Sequence, residues 1–387
     1  MECWIIGRNR PSRMVYGFDD VSLVPGLRTI DPADVQIATA IGSFRFDVPI
    51  LGAAMDGVID PNMAVRLGEL GAVGVLNLEG VFTRYEDPTS VIEELIALPK
   101  AEVTRFLQKV YREPVREALV TRRIREIKEQ GIPAAASVTP ARADSIGRLA
   151  LQEGLDLIVV QSTVTTVQFL SSSARVFDLA GFCRSAGIPV VIGNCASYET
   201  ALDLMKAGAS GVLVGIGPGA ACTTRAVLGI GLPQITATVD VAAAREDYFQ
   251  ETGRRVCVIT DGGMRVGGDV AKAVAAGADA VMLGSPLACA QEAPGKGHHW
   301  GMATPDPNLP RGTLVKTGIK GSCEEVLFGP SRLTDGTMNF VGALRGSMGA
   351  VGARTLAEMQ RAEIVISPNI WSEGKYLQQC QGVGMGR

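Results

Sequence analysis

The chain has 387 residues, 47% of them apolar and 20% charged, with a net charge of −3 and only two histidines. These are ordinary globular figures, and they argue against a nucleic-acid surface. No apolar run reaches the roughly 18–20 residues that span a bilayer, so no membrane association is expected.

The opening MECWIIGRNRPSR carries charges where a secretory signal needs an apolar centre. The eight cysteines, at 3, 183, 195, 222, 257, 289, 323 and 380, form no CxxC pair and no metal-ligand spacing. They read as reduced, mostly buried thiols of a cytoplasmic enzyme.

Along the chain one pattern recurs: a helical stretch, a glycine, then a burst of small and β-branched residues. DVPILGAAMDG supplies an early burst; ELGAVGVLN, EQGIPAAASV, QEGLDLIVV, SAGIPVVIG, KAGASGVLVG and AAGADAVMLG follow the full pattern, and RRVCVITDGG keeps the burst alone. The glycine reads as a helix C-terminal cap and the burst as a strand buried on both faces. Eight strands are predicted, near 49–54, 73–77, 133–138, 156–160, 189–193, 211–215, 256–260 and 280–284. Alternating strands and helices imply right-handed crossovers and a parallel sheet, and eight units close into a (β/α)8 TIM barrel. An open doubly wound sheet is the rival arrangement.

The expected organisation is a single barrel domain over 1–387 with two intervals too long for plain units. Residues 80–130 are charged and helical, predicting extra helices. Residues 290–340 are rich in Gly, Pro, His and Lys with weak periodicity, and read as a flap from about 296 to 340 over the active face.

A barrel does its chemistry in the loops after the strands. After the first strand, Ala54-Met55-Asp56 places a methionine at the mouth, as core or as a platform for a flat ring. After the fourth come Gln161-Ser162-Thr163, and after the fifth Gly193-Asn194, polar groups able to orient a ligand. After the sixth comes GIGPGAACTTR. Its Gly215, Gly217 and Gly219 free the backbone to turn carbonyls toward a monovalent cation. Cys222 stands at a helix start with Arg225 nearby, a setting that lowers a thiol's pKa and makes it a nucleophile; the plainer alternative is a small buried residue. After the seventh strand come Asp261-Gly262-Gly263, and after the eighth Gly284-Ser285-Pro286, loops whose N–H groups suit a phosphate. Asp261 suits a ribose diol. Read plainly, these are tight turns with Asp261 as a helix cap.

GIGPGAACTTR, DGGMRVGGDVAKAVAAGADAVMLGS, FDDVSLVPG and ALRGSMG closely resemble the IMP dehydrogenase / GMP reductase family. The resemblance implies a (β/α)8 barrel and a homotetramer, possibly an octamer. Family dehydrogenases normally insert a pair of CBS modules after the second strand. Here about fifty residues fill that interval, which implies a short member without the insert. The resemblance makes Cys222 the nucleophile on purine C2, with Thr224 beside it. Gly217, Gly219 and Cys222 would offer carbonyls to K⁺. Asp261 would hold the ribose, and Gly263, Gly284 and Ser285 the phosphate. Met55, Asn194, Gly301 and Met302 would line the base, while Ser162 and Gly215 would face the nicotinamide cofactor. The implied reaction is oxidation of IMP to XMP with NAD; the alternatives are reduction of GMP to IMP with NADPH, or a purine-nucleotide-binding protein without catalysis.

Four departures stand out. Ala220 replaces the expected phosphate-loop serine, which leaves only the backbone to donate there. Gln161 replaces the aspartate that holds the NAD ribose in many dehydrogenases. His298-His299-Trp300 replaces a tyrosine-containing run. Residues 303–340 hold no Arg-Tyr pair, which leaves Arg311 of LPRGT as the expected activator of the hydrolytic water, the plainer alternative being a partner for phosphate. The reductase-type glutamate is also missing from that segment, which weighs against ammonia chemistry.

Overall fold

The computed structural model describes residues 4–6, 10–172, 176–301, 313–367 and 375–384. Eight parallel strands close into a barrel: β1 (Ile50–Gly52), β2 (Val73–Asn77), β3 (Ala135–Val138), β4 (Leu157–Gln161), β5 (Val190–Cys195), β6 (Gly211–Val214), β7 (Cys257–Asp261) and β8 (Ala280–Leu283). All eight expected strands are present, and β8 closes on β1 through Val281, Met282 and Leu283 against Ile50, Leu51 and Gly52.

The recurring glycine does what its spacing implies. Gly71, Gly131, Gly154, Gly187, Gly208 and Gly277 all have φ between +71° and +112°, where a Cβ is strained. Each ends a helix and turns the chain into the next strand. Helix starts are as explicit: the Asp60, Asp87, Asp178 and Ser197 side chains each accept the N–H three residues on, a cap of about 1 kcal/mol each.

Strand side chains alternate between two cores. Val73, Val75, Leu157, Val159, Cys257, Ile259, Ala280 and Met282 fill the barrel interior. Ile41 and Phe46, from a hairpin of Thr39–Ile41 and Phe44–Phe46, join them. Val212, Val214, Val258, Val281 and Leu283 face outward into the larger cluster against the helices.

Between β2 and β3 lie three helices, α2 (Pro88–Ala97), α3 (Lys100–Val110) and α4 (Glu117–Lys128), following α1 (Pro61–Glu69). The helices expected between 80 and 130 are therefore present. They carry a cluster of their own, made of Val81, Phe82, Ile92, Leu95, Val103, Leu107, Val110 and Tyr111, and among the described residues Trp300 is its one fully buried member from outside the segment. Within the interval read as a flap, β9 (His298–Trp300) and β10 (Leu314–Lys316) pair antiparallel, and a helix spans Cys323–Phe328. No helix among the described residues is long and apolar enough to cross a membrane.

Candidate active site

A cavity of about 1050 Å³ opens at the C-terminal ends of the strands. That is at the top of the range for a ligand site. The barrel order puts β6, β7, β8 and β1 on one arc of its mouth and β2, β3 and β4 on the other.

On the first arc, the loop after β6 interlocks with those after β7 and β8. Gly215 has φ +148°, and a Cβ there would lie 2.3 Å from the Asp261 carbonyl oxygen. Only glycine allows these strand ends to meet so closely. The Gln234 amide ties the same two strands, donating to the Val214 carbonyl at 2.5 Å and to the Asp261 carbonyl at 3.1 Å. Above this junction the chain turns at Gly219, whose carbonyl accepts the Cys222 N–H at 3.0 Å. The Cys222 thiol is exposed and donates to the buried Thr224 hydroxyl at 3.2 Å.

Arg225 does not sit with the thiol. Its guanidinium donates to the Leu232 carbonyl at 2.8 Å, and its stem lies against Gly217 and Gly231. Among the described residues no hydrogen bond joins this guanidinium to the thiol; the turn back through Gly229–Leu232 brings it a carbonyl instead.

Asp261 ends β7 at the cavity wall. The Asn194 amide donates to its carboxylate at 2.7 Å and to the Gly215 carbonyl at 3.0 Å. Burial pushes the Asp261 carboxyl up to about 6, with Asn194 pulling the other way. Beside it, Ser285 Oγ lies 2.9 Å from His299 Nε2. His299 is buried, its Nδ1 has no partner among the described residues, and burial followed by His298 pushes its pKa down to about 4. It is neutral at neutral pH.

The second arc carries Asn77, Glu79, Ser137, Thr139, Arg142, Gln161 and Ser162. Glu79 accepts the Thr139 N–H at 2.6 Å. The Ser162 hydroxyl is used within its own loop, donating to the Val164 carbonyl at 2.8 Å beside Thr165 Oγ1. Gln161 makes no side-chain hydrogen bond among the described residues. The helices after β2 close this side: Arg84, Tyr111, Arg112 and Glu113 reach the cavity. Arg84 is pushed below its usual pKa, by burial first and by Arg142 among its charged neighbours.

Of the residues expected in the site, Met55, Gln161, Ser162, Asn194, Gly219, Cys222, Thr224, Asp261, Gly263, Gly284, Ser285 and Gly301 all line this one cavity. Gly215 and Gly217 are not among the lining residues. Met302 and Arg311 fall outside the described residues. The reading of the sequence missed Glu79 and the helical contribution. Asn77-Leu78-Glu79 carried a usable signal, a polar group after a buried strand as at the other strand ends. Tyr111 and Arg112 carried none, because only the packing of α3 brings them to the mouth.

Residues 15–374 match the model of the IMP dehydrogenase / GMP reductase domain. An uncharacterized oxidoreductase of Mycolicibacterium smegmatis is 38% identical over 370 residues, covering 93% of this chain and 99% of the relative. Inosine-5'-monophosphate dehydrogenase of Methanocaldococcus jannaschii is 27% identical, covering 92% of this chain and 94% of that enzyme. Its alignment runs over 477 positions, more than this chain's 387 residues, as a chain lacking an insert requires. The crystal structure of an IMP dehydrogenase/GMP reductase-like protein from Corynebacterium glutamicum superposes with a TM-score of 0.89 at 35% identity, over 94% of this chain and 98% of the other. With the thiol loop, the carboxylate and the glycine loops gathered at one barrel mouth, the chain belongs to the IMP dehydrogenase / GMP reductase family.

Proposed function

We propose that this protein is an IMP dehydrogenase, oxidising IMP to XMP with NAD⁺ through an adduct on Cys222. The observation that carries this reading is the exposed Cys222 thiol in the same cavity arc as Asp261, Gly263, Gly284 and Ser285.

C2 of the purine is an electron-poor carbon between two ring nitrogens, open to attack by a thiolate. Addition of Cys222 Sγ makes C2 tetrahedral. Loss of hydride from C2 then leaves a thioimidate on the cysteine, and water hydrolyses it to XMP with return of the thiol. IMP, NAD⁺ and water become XMP, NADH and a proton, so the balance closes. NAD⁺, when bound, supplies the hydride acceptor.

Around that step the chain's own groups bind and orient. The Asp261 carboxylate, aimed by Asn194, accepts the ribose hydroxyls. With its ring proton on Nε2, His299 donates to Ser285 Oγ, and the serine keeps its own proton for the phosphate. The helix after Gly284 has only four residues, so phosphate holding rests on this hydroxyl and on backbone N–H groups. The other arc offers Gln161 and Thr139 to a dinucleotide, with an amide where a carboxylate would bind a diol more tightly. The carbonyls of Gly217, Gly219 and Cys222 are an uncharged oxygen set, which fits a monovalent cation better than a divalent one; Gly219 retains a lone pair beyond the one given to Cys222 N–H.

The test is NADH formation from IMP and NAD⁺ in K⁺ buffer. Ammonia release from GMP with NADPH, without IMP oxidation, would overturn the reading. A pH profile adds a second check. Asp261 works ionised and its carboxyl sits at about 6. The kcat/KM for IMP is therefore expected to fall as pH drops through about 6, tenfold per unit below it, and Asp261→Asn should remove that limb.

A further inference from the structure

We propose that Tyr111, together with Asp56 and Trp300, is a positioning device for the cysteine loop, supplied by the helices between β2 and β3. The inference rests on reading Cys222 as the nucleophile.

Three distant segments meet in one buried polar chain. The Trp300 indole N–H donates to the Tyr111 hydroxyl at 3.0 Å, and that hydroxyl donates to the Asp56 carboxylate at 2.5 Å. Asp56 also accepts the Val81 N–H at 3.0 Å. All three side chains are almost wholly buried, so each polar atom depends on the next.

Both ends of the chain reach the site. Trp300 precedes Gly301, where a Cβ would lie 3.3 Å from the Ala221 carbonyl oxygen, one residue before Cys222. Asp56 follows Met55, whose sulfur would lie 3.1 Å from a Cβ on Gly284. Gly57 is pressed against the same strand, since a Cβ there would meet the His298 carbonyl oxygen at 2.7 Å. The helices hold β9 and β10 from outside as well. Trp300 fills their cluster, Leu314 packs against it, and Lys296 pairs with Glu93 at 2.7 Å. The segment thus fixes the wall that backs the Cys222 loop, and Tyr111 is where the two supports join.

Tyr111→Phe keeps the ring and removes both hydrogen bonds. Leu107→Ala opens the same cluster but leaves the polar chain intact, so it controls for instability alone. Tyr111→Phe is expected to lower kcat for IMP oxidation about tenfold with KM within about twofold. It is also expected to shift the rate of Cys222 alkylation by iodoacetamide, read on the Cys222 peptide by mass spectrometry, about threefold or more. Leu107→Ala should lower Tm while leaving kcat and alkylation near wild type. Wild-type kcat and alkylation in Tyr111→Phe would overturn the proposal, as would equal losses in Leu107→Ala. If the wild-type protein oxidises no IMP, the functional reading fails and the alkylation comparison decides the positioning role by itself.

Discussion

Replacing Cys222 with alanine is expected to lower kcat for IMP oxidation by about three orders of magnitude or more, because no other thiol among the described residues lines the cavity. Cys289 and Cys323 offer no substitute: both are buried, and burial pushes their thiols up, Cys323 to about 12. Cys380 is exposed but lies outside the cavity lining. The substitution should leave IMP affinity within a few-fold, since Asp261, Gly263 and Ser285 remain. It should also leave Tm nearly unchanged, since an exposed side chain and one hydrogen bond to Thr224 are lost. Turnover by steady-state kinetics and affinity by calorimetry separate the two effects. Full activity in Cys222→Ala would rule out covalent catalysis.

Gly215→Ala should act on fold and site together. A φ of +148° excludes a side chain sterically, and the new Cβ would stand 2.3 Å from the Asp261 carbonyl oxygen and 2.8 Å from Gln234 Nε2. Backbone strain and overpacking each cost about 1–3 kcal/mol, so a loss of about 3 kcal/mol in urea unfolding is expected. Relief can come only by moving the end of β7 or the start of the cysteine loop. IMP affinity should therefore fall at least about tenfold even where the protein stays folded. Gly229→Ala is the useful contrast, because Gly229 also has positive φ, +67°, yet a Cβ there meets nothing. It should show the smaller backbone strain alone and retain nucleotide binding.

The barrel was legible because its signals are local. A glycine at the helix end, a buried apolar burst and a polar loop recur within about ten residues, and each glycine then proves to carry the positive φ that the cap needs. The residues on the cysteine arc were legible for the same reason, since glycine-paved loops follow their strands directly. What escaped depends on separation. Asp56 and Tyr111 are 55 positions apart, and Tyr111 and Trp300 are 189 apart, so no window of sequence joins them. Sequence position alone singles out Met55 at the end of β1, while its neighbour Asp56 makes the buried hydrogen bonds to Tyr111 and Val81. Arg225 misled for a related reason: proximity in sequence suggested a partner for the thiol, but side-chain direction was set by the turn at Gly229–Leu232. In the sequence His299 stands out only as a departure from the family pattern, whereas its contact with Ser285 ties β9 to the loop after β8.

The shared cluster around Trp300 has a consequence for modularity. A segment of three helices between two barrel strands looks like a cassette, a place where a regulatory unit can be inserted or removed at little cost. Here the cassette and the wall behind the Cys222 loop share one apolar cluster, to which the helical segment brings Tyr111 and the far side brings Trp300. Excising the helices would strip a tryptophan of its surroundings and leave Asp56 a buried carboxylate without its phenol. Any unit transplanted into this position must bring its own socket for Trp300 and its own donor for Asp56, so a functional exchange requires redesign of two distant loops as well as the splice points.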